Sequence, residues 1–551
     1  MANVSRTPTE SVSTGTKRTM EPAAALELID SGKTIPKELA AKILSSVRPV
    51  TPRQAEEIAK GFEEKTGIPA QEAKRHLKIV SREWITPSIR FKPVWTLHND
   101  VSYCAIQIQE ASQEGGVAQP EQPTMLIVTS EGKTLYREDL GLLGLQVDDN
   151  WDEETVGWSP PSVKKFLDGA EPLLPADLFR QISENIHCFC DLPSIGDLPK
   201  EYTEKFLALW VMHSFFMPIF SATGYLFLTS VENRYGKSRV AGVIGRMAFD
   251  AQVISGASTF AAIRDGAHWE QTQIIDDVTN LKELPPGALS MFLCGYKRDG
   301  ASTRLKQADQ RKGWVGKNVD AFCPRVFTTT EGAPLALLTR MYTIPMHKTK
   351  DKALSKRDPN YTAPPHAFQE LRDGLYHLAF CSMPKVRSLY EGDIEALMDR
   401  PHERWRPLLA LALWIDPEGT LYRETKGSLY DEMVELAECW ELEAEREQAE
   451  SGPKAPILRA LVTLVSEGKE TVSAGEVADR IPGGEISARK VGGFLVGAEY
   501  AQRLAAVKHG YPQFRLNREY IMEEAVRLEL DAPEPPLPVL LPDFAARSSR
   551  N

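Results

Sequence analysis

An α/β core built on a buried parallel sheet is what this sequence predicts for its middle, and three features predict it. The apolar run GYLFLTS, Gly224 to Ser230, gives way to the polar stretch VENRYGKSR and resumes as a helix from Lys237 with Val240, Val243, Ile244 and Met247 on one face. A second apolar run, Gln273-Ile274-Ile275, ends in the paired carboxylates Asp276 and Asp277. A third, CPRVFTTTEG from Cys323 to Gly332, runs into a polar patch. Short runs that are apolar on both faces belong to strands covered by helices on both sides.

The strand–loop–helix segment SVENRYGKSR, Ser230 to Arg239, ends as a phosphate loop does, in Gly236-Lys237-Ser238, yet Val231 stands where the pattern G-x-x-x-x-G-K-[ST] asks for glycine. A helix N-terminus behind such a loop offers unpaired N–H groups and the positive end of its dipole to phosphate oxygens. ATP is the expected ligand. Asn233, Gly236, Lys237, Ser238 and Arg239 are the candidate nucleotide contacts, with Lys237 on the β- and γ-phosphates and the Ser238 hydroxyl on Mg2+. Asp276 would hold the ion through water, and Asp277 would orient and activate the attacking water. Thr329 or Thr330 suits a hydrogen bond to the γ-phosphate or that water.

The order of these pieces carries a family resemblance. IIDDVTN, then a basic stretch, then RVFTTTEG and LLTRMYTIP, resembles the superfamily 3 helicases of DNA viruses, phages and plasmids, which are AAA+ ATPases. LALWVMHSFFMPIFSATGYLFLTSVENRYGKSR and FLCGYKRDGASTRL are similar to the helicase-like ATPase domains of phage and plasmid replication proteins, so the likeness spans about residues 200–350. It implies that Lys237 and Ser238 are the Walker A residues, Asp276 and Asp277 the Walker B pair, Thr330 the sensor and Arg340 an arginine finger acting on a neighbour's nucleotide. It further implies a ring of about six subunits and a primase or other replication protein as partner. Family members usually carry asparagine at the sensor, and many also lack the first loop glycine.

Between the second and third runs, YKRDGASTRLKQADQRKGWVGK holds seven basic and two acidic residues. STRLKQ and GWVGKNVDAF read as arms of a hairpin with its tip at 308–313. In superfamily 3 rings a hairpin placed here grips DNA in the channel. Lys306, Arg311 and Lys312 are therefore the expected phosphate contacts, and Trp314 the stacking residue.

The remaining sequence sets the organisation. Residues 1–20 are a Ser/Thr-rich leader without an apolar h-region, which predicts a cytoplasmic protein. Residues 21–83 read as a helical domain with a helix starting at Thr51-Pro52, and 84–160 as a small β-rich domain. The ATPase domain spans 161–350, a helical connection 351–451, a winged-helix domain 452–530 and a Pro-rich tail 531–551. In the winged-helix domain Ser473 caps a helix, Arg489 and Lys490 open the recognition helix, and YPQFRL forms a wing strand. The acidic run Asp148 to Glu154 reads as an exposed loop, and His187-Cys188-Phe189-Cys190 as packing rather than a zinc site. Seven cysteines without a framework pattern read as reduced thiols. FLALWVMHSFFMPIF, 206–220, is too short and too interrupted to span a membrane. A net charge of −11 excludes a surface coated in basic residues but allows a local basic channel.

The function these features predict is a DNA helicase or translocase of phage, plasmid or mobile-element replication. Two alternatives remain: a ring ATPase that remodels DNA or protein without unwinding, and a nucleotide-dependent origin-binding scaffold that hydrolyses slowly. A small-molecule P-loop kinase is disfavoured by the basic hairpin and by Arg340.

Overall fold

The computed structural model describes residues 42–77 except 46, 48, 49, 51 and 67, and 90–148 except 111, 112, 115, 116 and 119–121. Beyond these it describes 151, 154–255, 260–277, 281, 286–300, 302–309, 313–394, 397–421, 427–482, 486–497, 499–508 and 511–530. The chain divides into two compact units, one of residues 1–193 with 204–429, the other of residues 194–203 with 430–551.

The first unit is mixed α/β and centres on five parallel strands: β1 (Tyr225–Thr229), β2 (Gln252–Ser255), β3 (Gln273–Asp276), β4 (Arg325–Thr329) and β5 (Met341–Pro345). Their order across the sheet is β2-β3-β4-β1-β5. The third apolar run of the sequence therefore lies between the first and the second. Pairing of Ile275 with Phe327 and of Thr328 with Leu228 fixes which side chains sit abreast at the C-terminal edge. Helix α1 (Lys237–Met247) follows β1 and buries Val240, Val243, Ile244 and Met247, the face the sequence predicts. The segment before β1 is helix Lys200–His213 continued by a 3-10 turn, Ser214–Ile219, where Pro218 ends the regular ladder.

The opposite edge of the sheet is closed by a buried cation. Arg325 is fully buried, and its guanidinium donates to Gln273 Oε1 at 3.0 Å, Tyr225 Oη at 2.9 Å and the Ala321 carbonyl at 2.8 Å, while lying over the Tyr225 and Phe292 rings. Neutral acceptors on three segments thus tie β4, β3 and β1 together. Nearby, Gly224 leads into β1 where the Tyr342 ring and the stem of Arg404 crowd the backbone; a Cβ there would stand 2.2 Å from the ring. Tyr342 is itself fixed, with its hydroxyl donating to the Arg404 carbonyl at 2.6 Å.

Ahead of this core, an antiparallel sheet pairs Trp95–His98, Val101–Glu110, Gln122–Thr129 and Thr134–Leu135 in that order. It docks through Trp95, whose indole N–H donates to the Phe215 carbonyl at 2.8 Å and whose ring meets Phe249, Tyr376 and Phe380. Helix Pro52–Thr66 begins at proline, which suits the first helical position. The acidic run departs from its expected exposure: Asp148 is buried, with its carboxylate 3.5 Å from His268 Nε2. The cause is long-range. His268 Nδ1 accepts the Asp320 N–H at 3.1 Å, and Lys92 pairs with the Asp320 carboxylate at 2.6 Å, so Asp148 closes a polar cluster at the base of a hairpin. Residues 149, 150, 152 and 153 of that run lie outside the described residues.

That hairpin is antiparallel, Ser302–Asp309 with Gly313–Asp320, and Ala308 pairs with Trp314 at its outer end. All seven cysteines are free thiols. Among the described residues no helix is long and apolar enough to cross a membrane.

The second unit contains helices Lys454–Ser466, Ala474–Asp479, Ala488–Gly497 and Arg518–Arg527 around a three-stranded antiparallel sheet of Thr471–Ser473, Tyr511–Leu516 and Ala501–Lys508. Leu458, Leu461, Val472, Val491, Leu495, Phe514 and Ile521 fill its core. Ser473 caps its helix in a reciprocal box with Glu476. Arg489 and Lys490 are exposed at the start of helix Ala488–Gly497.

Gly224→Ala is expected to destabilise the protein by about 2–3 kcal/mol, because neither the Tyr342 ring nor the backbone can yield. Thermal unfolding followed by circular dichroism checks this; an unchanged midpoint contradicts the packing described.

Candidate functional site

The loop from Ser230 to Gly236 joins β1 to α1 at the C-terminal edge of the sheet. Its turn is made by two left-handed residues, Arg234 at φ +68° and Gly236 at φ +87°; Val231 is not among the positive-φ residues. The Val231 side chain is 91% exposed. The position at which the sequence lacks glycine is therefore one at which neither the backbone nor the packing asks for it. Gly236 is different, since as N-cap of α1 it must adopt a conformation that L side chains rarely take.

Lys237, the first residue of α1, is 8% exposed and folds back along the loop. Its ammonium donates to Ser230 Oγ at 2.5 Å and to the Glu232 carbonyl at 3.4 Å, and Ser230 Oγ donates in turn to the Glu232 carbonyl at 2.6 Å. Burial holds the Lys237 pKa below its ordinary value, against the opposing pull of the Asp277 and Asp276 carboxylates. A cation short of solvation beside a helix N-terminus is suited to an anionic guest.

Next on α1, the Ser238 hydroxyl donates to Asp276 Oδ1 at 3.0 Å, although the two residues come from α1 and from the end of β3. The same oxygen accepts from Thr328 Oγ1 at 2.5 Å. Thr328 sits at the level of Asp276 because β3 and β4 run in register up to Ile275 and Phe327. Its hydroxyl also accepts the Asp277 N–H at 2.8 Å, and Asp277 is itself left-handed at φ +55°. A hydroxyl and one carboxylate, 3.0 Å apart, fit Mg2+, which takes one or two protein oxygens and completes its shell with water and phosphate. Among the described residues no group of three or more His, Cys, Asp or Glu side chains could hold a metal by itself.

The other expected site residues lie as follows. Asn233 is exposed in the loop. Arg239 turns away from it, donating to the Leu354 and Ser355 carbonyls at 3.1 Å each, at the end of helix Lys352–Lys356. Thr330 stands one residue beyond β4 and is exposed, while Thr329 is buried and accepts the Glu331 N–H at 3.0 Å. Arg340 precedes β5, whose five residues rise about 16 Å, so it lies at the edge of the sheet opposite the one that carries the Ser230–Gly236 loop. Its guanidinium donates to the Leu293 carbonyl at 2.9 Å and to the Ala336 carbonyl, over the Tyr296 ring. Lys306 and Trp314 stand on the two arms of the hairpin, and Arg311 and Lys312 lie outside the described residues.

Two participants escaped the sequence reading, Ser230 and Thr328. Ser230 ends the apolar run, seven residues before the lysine it meets. Thr328 is one of three consecutive threonines, and only strand register separates it from the others.

No family model matches the chain, and no curated protein matches it. Among solved structures, the crystal structure of a full-length MCM homolog from Methanopyrus kandleri is similar at 11% identity and a TM-score of 0.32, over 77% of this chain and 94% of that one. So slight a likeness assigns neither a family nor an activity.

Two substitutions test the loop geometry. Val231→Gly is expected to leave the affinity for a fluorescent ATP analogue within about twofold, whereas Gly236→Ala weakens it about fivefold through roughly 1 kcal/mol of backbone strain. Equal effects of the two would contradict the assignment of the turn to Gly236.

Proposed function

We propose that this chain is a Mg2+-dependent ATPase that works on DNA, in the manner of a superfamily 3-like helicase or translocase of phage, plasmid or mobile-element replication. The observation that carries the reading is the meeting of Ser238 and Asp276 at 3.0 Å, beside a left-handed Gly236 and a buried Lys237. Loop, lysine, hydroxyl and strand-end carboxylate converge on one place, as nucleotide phosphates require.

In this reading the N–H groups of the loop and of the first turn of α1 hold the phosphates. Lys237 exchanges its bonds to Ser230 and Glu232 for bonds to the β- and γ-phosphate oxygens. Ser238, by its hydroxyl, and Asp276, through water, would hold Mg2+, which would neutralise phosphate charge. Asp277 aligns the attacking water and receives its hydrogen bond. The hairpin arms Ser302–Asp309 and Gly313–Asp320, eight residues or about 25 Å each, carry Lys306 and Trp314, and these with Arg311 and Lys312 are the contacts proposed for the DNA backbone and bases. Residues 452–530 act as a winged helix that docks on DNA or on a protein, with Arg489 and Lys490 at the start of the helix in the recognition position.

Arg340 belongs to the same proposal. At the sheet edge away from its own loop it would act on the nucleotide of a second copy, which agrees with the ring of about six subunits that the resemblance implies. Its bonds to Leu293 and Ala336 favour, for the isolated subunit, the slow-hydrolysing scaffold reading. The two readings separate by concentration: ATP turnover per subunit rises with assembly in the motor and stays flat in the scaffold.

Lys237→Ala and Asp276→Ala are expected to lower DNA-stimulated ATP hydrolysis by at least about a hundredfold. Charge reversal at Lys306, Arg311 and Lys312 is expected to remove the stimulation by DNA and leave basal hydrolysis in place. Hydrolysis that survives Lys237→Ala, or stimulation that survives the charge reversal, contradicts the corresponding part of the proposal. Strand displacement from forked duplexes with 3′ or 5′ tails then decides between unwinding and remodelling.

A further inference from the structure

The hydroxyl of Thr328 does two things at once. It donates its one hydrogen bond to Asp276 Oδ1 at 2.5 Å, and it accepts one from the N–H of Asp277, the residue after Asp276, at 2.8 Å. Thr328 is 1% exposed, so water does not replace it in either bond. Its donor direction is fixed, because a backbone N–H can only donate and leaves the hydroxyl proton for the carboxylate. The result is a short relay from N–H through hydroxyl to carboxylate, in which each bond polarises the next.

Asp277 is the residue that most needs such support. At φ +55° Asp277 carries backbone strain, though less than most L residues would, and a fixed N–H partner helps to hold it there. Among the described residues, the bond from its N–H to Thr328 ties this stretch of backbone to β4 at the point where Asp277 leaves the strand. Asp276 has a parallel need. Its Oδ1 accepts hydrogen bonds from Ser238 and from Thr328, and the Ser238 hydroxyl is the group assigned to Mg2+. Thr328 is then the donor that keeps Asp276 aimed while Ser238 serves the ion.

We infer that Thr328 is a positioning residue that sets both carboxylates of the strand end, Asp276 for the ion and Asp277 for the attacking water. The inference rests on the ATPase reading above and deepens it. Thr328 is buried and acts through the two aspartates. Thr330, exposed beyond the strand, does not share this role.

Thr328→Val keeps the shape and the β-branch and removes the hydroxyl, and Thr328→Ser restores it. In the full chain, Thr328→Val is expected to lower kcat at least about tenfold, with KM for ATP within about twofold and the half-saturating Mg2+ concentration raised several-fold. Thr328→Ser is expected to recover most of the loss. A readout independent of turnover accompanies these: in nucleotide-free protein, the backbone amide of Asp277 exchanges with deuterium at least about tenfold faster in the valine variant than in wild type. Should the valine variant not fold, as judged by circular dichroism, Thr328→Ala takes its place with the same expectations. Unchanged kcat, Mg2+ dependence and amide exchange in the hydroxyl-free variant overturn the inference, as does failure of serine to rescue. If wild type neither binds nor hydrolyses ATP, the ATPase reading falls and this inference with it; if wild type is active and the variant equally so, only the inference falls.

Discussion

Everything proposed for this protein depends on one meeting of side chains, that of Ser238 with Asp276, and that meeting depends on the order of strands. Because β4 lies between β1 and β3, the carboxylate at the end of β3 is one strand removed from the loop at the end of β1. Across that offset the Ser238 hydroxyl reaches Asp276 Oδ1. The same strand order places a residue of β4, Thr328, at the carboxylate it must orient. A sheet with β3 directly beside β1 would bring the carboxylate to the loop without that intermediary.

The sheet is stiffened from its far edge. Arg325 binds three segments through neutral acceptors and two aromatic faces, and Gly224 lets Tyr342 close against the start of β1. A loop that must hold Lys237 short of water can exist only on such a rigid base, since the desolvation cost is met by packing elsewhere. The Lys237–Ser230–Glu232 bonds give the ammonium two acceptors without a ligand, so phosphate binding as proposed would be an exchange of partners.

Much of this was legible in the sequence. The loop, the helix after it, the strand ending in Asp276 and Asp277 and the two hairpin arms follow from local patterns of apolar and polar residues, and all of them form as elements. What was not legible is long-range. Three threonines in succession carry no local sign of which faces Asp276; the pairing of Ile275 with Phe327 decides it. Asp148 looked like part of a solvated run and is buried because His268, Asp320 and Lys92, distant in sequence, gather at the hairpin base. Arg340 read as a free finger, while its carbonyl partners belong to neighbouring turns that no motif describes. The doubt over Val231 was also one of backbone geometry, since a residue letter does not tell where a loop turns left-handed.

The central claim, that Ser238 and Asp276 together hold a magnesium ion for a bound nucleotide, is tested most directly by equilibrium binding of a fluorescent ATP analogue with and without Mg2+. The account predicts that Mg2+ tightens binding to wild type about tenfold or more and that Ser238→Ala and Asp276→Asn each remove most of that gain while keeping the Mg2+-free affinity. Binding that is indifferent to Mg2+ in wild type, or a gain that survives in both variants, would contradict it.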